Sequence, residues 1–160
     1  MADLNERPNR RSIRLRDYDY STPAAYYITI CSHDRRCIFG EIEDGQLLPS
    51  RYGQIALAIW AGLPQRWPPV QLDRYVLMPN HLHVILLFPD AARTLPSLGT
   101  VVNWYKRAVT VEVRRTEPTL TLWQRGYYDH VVRDERDMDR IREYIELNPG
   151  RWEDDEYYRR

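Results

Sequence analysis

An α+β fold is what this sequence predicts: a ferredoxin-like split β-α-β sandwich with an antiparallel four-stranded sheet and an additional C-terminal helix. Three observations predict it. Apolar, β-branched runs alternate with segments of helical periodicity in the order β-α-β-β-α-β, and one more helix follows. The two middle strand runs meet at a tight Pro79-Asn80 turn within YVLMPNHLHVILLF. No internal repeat or long linker interrupts the 160 residues, a length that suits one domain with one sizeable core.

The elements follow in order. Residues 1–22 are charged and lack apolar periodicity, so they read as a surface arm. Arg7, Arg10, Arg11, Arg14 and Arg16 give it a basic stripe, fitting either a solvated tail or a DNA-touching arm. AAYYITICS (24–32) is β-branched and aromatic, a good first strand. Asp44-Gly45 signals the turn of a short hairpin. Ile55, Ile59, Trp60 and Leu63 recur at helical spacing, predicting a helix over 50–64 that Pro64, Pro68 and Pro69 close. Strands are expected at 70–78 and 81–88. A second helix is expected at 97–115, with Leu98, Val101, Val102, Tyr105, Ala108 and Val109 on one side. Its β-branched residues lower its intrinsic propensity, so packing must supply much of its stability. LWQRGYYDHVVR (122–133) reads as the fourth strand. The last helix starts at an Asp134 N-cap and stops at Asn148-Pro149-Gly150. The expected division is an arm at 1–22, a domain at 23–150 and a surface tail at 151–160.

Composition bounds the function. Hydrophobic residues are 43% of the chain and aromatics 12%, so a folded protein is expected. The formal net charge is zero, and global charge announces no nucleic-acid partner. Lys106 is the only lysine; the rest of the basic residues are Arg, which suits bidentate phosphate contacts but also follows from codon bias. Cys31 and Cys37 cannot make a zinc site alone, and a secreted disulfide scaffold normally needs more. No apolar stretch reaches the ~20 residues of a membrane span, and the polar N-terminus is unlike a signal peptide, so a cytoplasmic location is expected.

Side chains alternate along a strand, so His81 and His83 share a face with Ile85 and Leu87, while Leu82, Val84, Leu86 and Phe88 share the other. Two imidazoles two residues apart can share a metal ion; equally, they can be polar residues at a strand end, one of them capping the turn. In the split β-α-β order this strand is central, so the pair needs partners. Met138, Ile141 and Ile145 mark the apolar stripe of the last helix, with Tyr144 beside it and Asn148 one turn further. Tyr144 is a nucleophile or an amphipathic boundary residue. Asn148 is a metal-ligating amide or a helix C-cap.

Three blocks, YVLMPNHLHVILLF, LWQRGYYDHVVRDERD and REYIELNPGRW, together resemble the REP-associated tyrosine transposases. These are single-tyrosine transposases of the insertion-sequence type in the HUH superfamily of single-strand DNA nucleases. The resemblance runs over most of the chain, and three blocks in order are far more specific than a lone H-x-H. It implies the ferredoxin-like fold. It implies His81, His83 and Asn148 around a divalent Mg²⁺ or Mn²⁺, with Tyr144 attacking a phosphodiester to give a 5′-phosphotyrosine and a free 3′-hydroxyl. It implies single-stranded or hairpin DNA as partner. Transposases of this superfamily are often dimers, so a homodimer is also expected. Both tails are short, with no added C-terminal domain, which leaves target recognition open.

DNA-contact expectations are softer. Aromatic and basic residues interleave at Trp104, Tyr105, Lys106 and Arg107, and again at Trp123, Arg125, Tyr127 and Tyr128. Tyr105 belongs to the core by its helical phase, and Trp123 and Tyr127 fit packing equally well. Arg125, Arg133, Arg140 and Arg142 are the expected phosphate contacts. His130 orients a ligand, touches DNA or makes a structural hydrogen bond. Tyr127 and Tyr128 are rival nucleophiles, but adjacent strand residues face opposite ways and cannot act as a pair. A competing function is a non-catalytic hairpin DNA- or RNA-binding protein derived from a transposase. The RNA-binding aromatic signature is absent from the third strand. A metal-free phosphoesterase with two H-x-[ST] motifs does not fit HLH and HVV. A two-tyrosine replication initiator would more often carry a second tyrosine where Asn148 stands.

Overall fold

The computed structural model describes residues 24–89 and 95–159. The arm at 1–22, with Arg10 and Arg11, lies outside the described residues. In chain order the elements are β1 (Ala24–Cys31), a 3-10 turn (His33–Arg35), β2 (Gly40–Glu43), β3 (Gln46–Pro49), α1 (Arg51–Ala61), α2 (Leu63–Arg66), β4 (Gln71–Met78), β5 (His81–Phe88), α3 (Leu98–Arg114), β6 (Tyr128–Val131), α4 (Glu135–Leu147) and a closing 3-10 turn (Pro149–Asp154).

β4, β5, β1 and β6 form one antiparallel sheet in that spatial order, which is the predicted architecture with the histidine strand central. Alternation then divides the sheet into two unlike faces. On one, Leu82, Val84, Leu86 and Phe88 join Tyr26, Ile28 and Ile30 and bury against α1 and α3. Each such fully buried side chain contributes about 1.5–3 kcal/mol of transfer free energy. The two helices lock together through Trp60 and Tyr105, whose rings meet edge to face at 5.2 Å while the Tyr105 hydroxyl donates to the Ala56 carbonyl at 3.1 Å. Val101, Val102, Val109 and Val113 of α3 are buried there, so packing does carry this β-branched helix. On the other face α4 lays Ile141 and Ile145 over Ile85, with Val76 and Leu87 alongside. α4 starts as expected: the Asp134 carboxylate accepts from Asp137 N at 2.8 Å.

Asp44 and Gly45 both sit at positive φ (50° and 74°), the primed-turn geometry that suits a two-residue hairpin loop between β2 and β3. This hairpin forms its own two-stranded sheet. Gly53 at the start of α1 lets the chain before the hairpin pass close: a Cβ there would lie 2.0 Å from the Phe39 carbonyl oxygen.

Three boundaries differ from the sequence expectation. The helix expected at 50–64 ends at Ala61 and a separate turn, α2, follows, because Pro64 has no N–H to continue the α1 ladder. The fourth strand is only Tyr128–Val131, because Gly126 at φ 73° breaks the extension and leaves Trp123 in an isolated bridge with Ser32. The segment after 150 is not a surface tail: Trp152 and Tyr157 are buried against Cys31 and Met78, at the histidine end of the α4 face.

Arg142 ties α4 to β4 through a bidentate pair, Nε to Asp73 Oδ1 at 2.9 Å and Nη2 to Asp73 Oδ2 at 2.7 Å. Arg142→Ala should lower stability by about 1 kcal/mol in urea unfolding at neutral pH, the pair being partly screened by solvent. The guanidinium holds the Asp73 carboxyl below its ordinary range. Its contribution is therefore fully present above the unfolded carboxylate value of about 4 and is lost as pH falls through the lower folded value. The gap between wild type and variant should close in acid; a constant gap would contradict the pairing.

Candidate active site

β5 opens with two buried imidazoles because the preceding turn is anchored on both sides. Pro79 O accepts from Phe39 N at 2.9 Å, and Asn80 O accepts from Ser32 N at 2.8 Å. Asn80 is itself fully buried and its side chain does three jobs. Its Nδ2 donates to the carbonyls of Arg35 (3.0 Å) and Tyr157 (2.7 Å), and its Oδ1 meets His81 Nδ1 at 2.8 Å. Two carbonyl acceptors settle which end of the amide is nitrogen. The oxygen then faces His81, so His81 Nδ1 carries the proton and Nε2 is a bare lone pair.

That lone pair faces His83 Nε2 at 2.9 Å. On its far side, His83 Nδ1 lies 2.8 Å from the Tyr27 hydroxyl and 2.9 Å from Thr29 Oγ1. A hydroxyl can donate or accept, so His83 has two arrangements without moving a heavy atom. With nothing between the rings, Nε2–H donates to His81 and Nδ1 accepts from a hydroxyl. With a cation between them, the proton sits on Nδ1, donated to Tyr27 or Thr29, and both Nε2 lone pairs converge. Burial pushes His81 down to about 2, with repulsion from His83 and Arg35 adding to it, and burial alone pushes His83 down to about 3. Both are neutral ligands at physiological pH.

The segment after α4 brings a carboxylate to the pair. Asp155 Oδ2 is 4.0 Å from His81 Nε2, its side chain 2% exposed, while Oδ1 accepts from Tyr157 N at 2.7 Å. With His81 neutral this is not an ion pair. The donor atoms of His81, His83 and Asp155 all lie within 4.8 Å of one another. Ligands about 2.1 Å from one ion are roughly 3–4 Å apart, so these three fit a single cation with small adjustment. Tyr157 closes the site over His81, ring centroids 4.6 Å apart.

α4 supplies the rest. Tyr144 is half exposed, with its ring centroid 5.3 Å from that of His83. Burial and then the Asp155 charge push its phenol above the ordinary range, while a hydrogen bond from the Asn148 amide pulls the other way. Asn148 makes no side-chain cap, and its Oδ1 is buried with no hydrogen-bond partner among the described residues. An orphaned buried amide oxygen is costly in a folded protein. It suits a hard divalent cation, which favours oxygen ligands.

The other sequence candidates divide. Lys106 is turned inward: Nζ donates to the carbonyls of Gln124 (2.7 Å) and Gly126 (2.8 Å), and burial lowers it to about 8. Trp123 donates to the Lys106 carbonyl at 3.0 Å and packs on Phe39 and Tyr105, and Tyr127 packs against the same core. Arg140 pairs with Asp137 and Arg142 with Asp73. Arg107, Arg125 and Arg133 are exposed. His130 Nε2 lies 2.7 Å from Asp137 Oδ2, and this bond chiefly holds the Asp137 carboxyl down at about 2. Sequence reasoning missed Asn80, Asp155, Arg35 and the Tyr27–Thr29 pair. Only Asn80 carried a signal, as an Asn immediately before two histidines.

A family model described as "Transposase IS200 like" matches residues 61–148. An uncharacterized protein of Haemophilus influenzae is 34% identical over 168 residues, covering 94% of this chain and 93% of its own length. The REP-associated tyrosine transposase of Escherichia coli is 23% identical over 130 residues, covering 81% of this chain and 68% of that protein. The solved structure of a REP-associated tyrosine transposase bound to a REP hairpin superposes with a TM-score of 0.65 at 16% identity, over 86% of this chain and 74% of that one, and shares the fold.

If Asn80 fixes the His81 tautomer, Asn80→Ala should weaken Mn²⁺ binding by about 10- to 100-fold in calorimetric titration, the usual effect of removing a group that orients a ligand. Binding as tight as wild type would contradict the tautomer argument.

Proposed function

The chain belongs to the IS200-like transposase family, and we propose that it is a metal-dependent single-strand DNA endonuclease and transesterase that cuts beside DNA hairpins through a 5′-phosphotyrosine intermediate. One observation carries this reading. The only tyrosine of α4 lies against His83, one turn from an amide whose buried oxygen has no hydrogen-bond partner among the described residues.

In this reading His81, His83 and Asn148 hold Mg²⁺ or Mn²⁺, and Asp155 adds a carboxylate that offsets part of the ion's charge. A bound divalent ion supplies Lewis acidity at a phosphate oxygen. Tyr144 supplies the nucleophile: a bond forms from its oxygen to phosphorus, the bond from phosphorus to the 3′-oxygen breaks, and the 3′-oxygen leaves as a hydroxyl. The phosphodiester energy is kept in the phosphotyrosine, so a second DNA end can be joined with no external energy source. The phenol is neutral at rest, and Asn148 helps it to lose its proton. Its amide hydrogen stabilises negative charge on the Tyr144 oxygen, while its carbonyl oxygen is free for the ion. One residue thereby serves both the nucleophile and the cation.

Hairpin DNA as partner is supported by the hairpin bound to the relative of the same fold. Of the arginines read from the sequence, Arg107, Arg125 and Arg133 remain the candidate phosphate contacts. Arg140 and Arg142 already face carboxylates, and Lys106 faces carbonyls.

On a denaturing gel, hairpin-tipped single-stranded DNA with Mn²⁺ should give a covalent protein–DNA adduct that Tyr144→Phe abolishes. Chelation should abolish the adduct yet leave hairpin binding in a mobility-shift assay. An adduct that persists in Tyr144→Phe refutes the nucleophile. Hairpin binding with no adduct under any metal would favour the non-catalytic binding reading. In calorimetric titration, Asp155→Asn should cost at least about 10-fold in Mn²⁺ affinity if the carboxylate is a ligand.

A further inference from the structure

α4 covers only part of its face of the sheet, over β4 and β5. Toward β6 the same face is open, and a cleft of about 330 Å³ lies there, reaching His83. The strand registers explain its floor. Tyr128 stands opposite Thr29 and His130 opposite Tyr27, while Thr29 stands opposite His83, so all of these side chains emerge on one face. The wall comes from Arg35 and Tyr157.

Arg35 and His130 are each held beside this space by hydrogen bonds. Arg35 and the preceding Asp34 are consecutive non-glycine residues at positive φ (53° and 54°), a conformation L-residues adopt only when their surroundings enforce it. The enforcing contact is the Asn80 amide on the Arg35 carbonyl. The guanidinium lies over the Tyr157 ring, 4.7 Å from its centroid. His130 is fixed by Asp137, which also accepts from Arg133 N at 3.1 Å. The Asn80 contact also serves His81, but the guanidinium of Arg35 and the His130–Asp137 pair touch neither Tyr144 nor a candidate ligand.

We propose that this cleft is a nucleotide subsite: it takes a nucleotide of the single strand next to the scissile phosphate, with Arg35 on its backbone phosphate and Tyr128 and His130 against its base. The chemistry matches. Arginine neutralises phosphate, an aromatic face stacks any base, and the Glu156 carboxylate that also lines the cleft can accept from the amino groups of a base. The proposal rests on the DNA-cleaving reading above and adds to it where the single strand lies.

The test uses the full chain in chelator, so that no chemistry occurs. Fluorescence anisotropy would compare a blunt DNA hairpin with the same hairpin carrying a single-stranded extension, over a range of salt concentrations. Wild type should bind the extended probe more tightly. Arg35→Ala and His130→Gln should each remove most of that gain, about 10-fold. Arg35→Ala should also reduce the slope of log affinity against log salt by about 0.7, the loss of one single-strand phosphate contact. Affinity for the blunt hairpin should not change. Arg35→Lys should keep the slope, which a merely structural role for the turn would not predict. Should Arg35→Ala melt early, Tyr128→Ala provides the second variant, expected to lose the gain with an unchanged slope. Extended-probe binding equal to wild type in Arg35→Ala, or in both His130→Gln and Tyr128→Ala, overturns the subsite. The adduct assay separates the two readings. A wild-type adduct with no variant effect on extended-probe binding defeats the cleft alone. No wild-type adduct defeats the cleavage reading, whatever the anisotropy shows.

Discussion

Two imidazole nitrogens facing each other at 2.9 Å in a buried site cannot both present lone pairs unless something positive lies between them. Either a proton takes that place, on His83, or a cation does. Asn80 removes the first imidazole from the choice by claiming its other nitrogen, and the two hydroxyls of β1 let the second follow either course. Everything else at this end of the molecule is arranged around that pair. The β5 turn is held so that Asn80 can reach it, and the final segment packs so that Asp155 can approach it.

The fold makes this possible by keeping its two faces chemically distinct. The face under α1 and α3 is closed by aliphatic and aromatic packing and carries the bulk of the burial. With stability secured there, the opposite face can hold polar side chains in low dielectric without threatening the fold. Centrality matters as well. A pair on an edge strand would be reached by water, and its imidazoles would keep their ordinary basicity. On β5, flanked by β4 and β1 and roofed by Tyr157, burial above all holds both rings neutral across the physiological range.

Much of this was legible in the sequence where local periodicity carries the information. Period-two alternation put His81 and His83 on one face and the aliphatic residues on the other. The four-residue spacing of Tyr144 and Asn148 put phenol and amide on one side of a helix whose stripe had to meet a sheet. What periodicity does not carry was missed or misread. Asp155 sits in an acidic run with no repeat, and its place is fixed by its neighbours Trp152 and Tyr157 burying against Cys31 and Met78, far from it in sequence. The aromatic–basic interleaving at Trp104–Arg107 and Trp123–Tyr128 looked like a nucleic-acid surface. Yet Lys106 of α3 binds the carbonyls of the Trp123 loop and Trp123 binds the Lys106 carbonyl, a pairing that needs the tertiary structure to see. Arg142 has its partner in Asp73, 69 residues away. Arg140 was different, because Asp137 lies one helical turn before it and the i, i+3 spacing was there to be read.

Burial also constrains how any substrate can meet the site. His81 and His83 are 0% and 1% exposed, whereas Tyr144 is 42% exposed. On the proposed reading a phosphodiester cannot come to the imidazoles from above α4 or through the sheet, since both are packed. It must enter where Tyr144 meets solvent or along the open strip beside β6. On that reading the strip would admit a single strand one nucleotide at a time and exclude the wider, stiffer double helix. The preference for single-stranded DNA would then need no sequence readout at all. It would follow from how much of the sheet α4 leaves uncovered, with hairpins recognised elsewhere on the surface and only the unpaired strand admitted to the phenol.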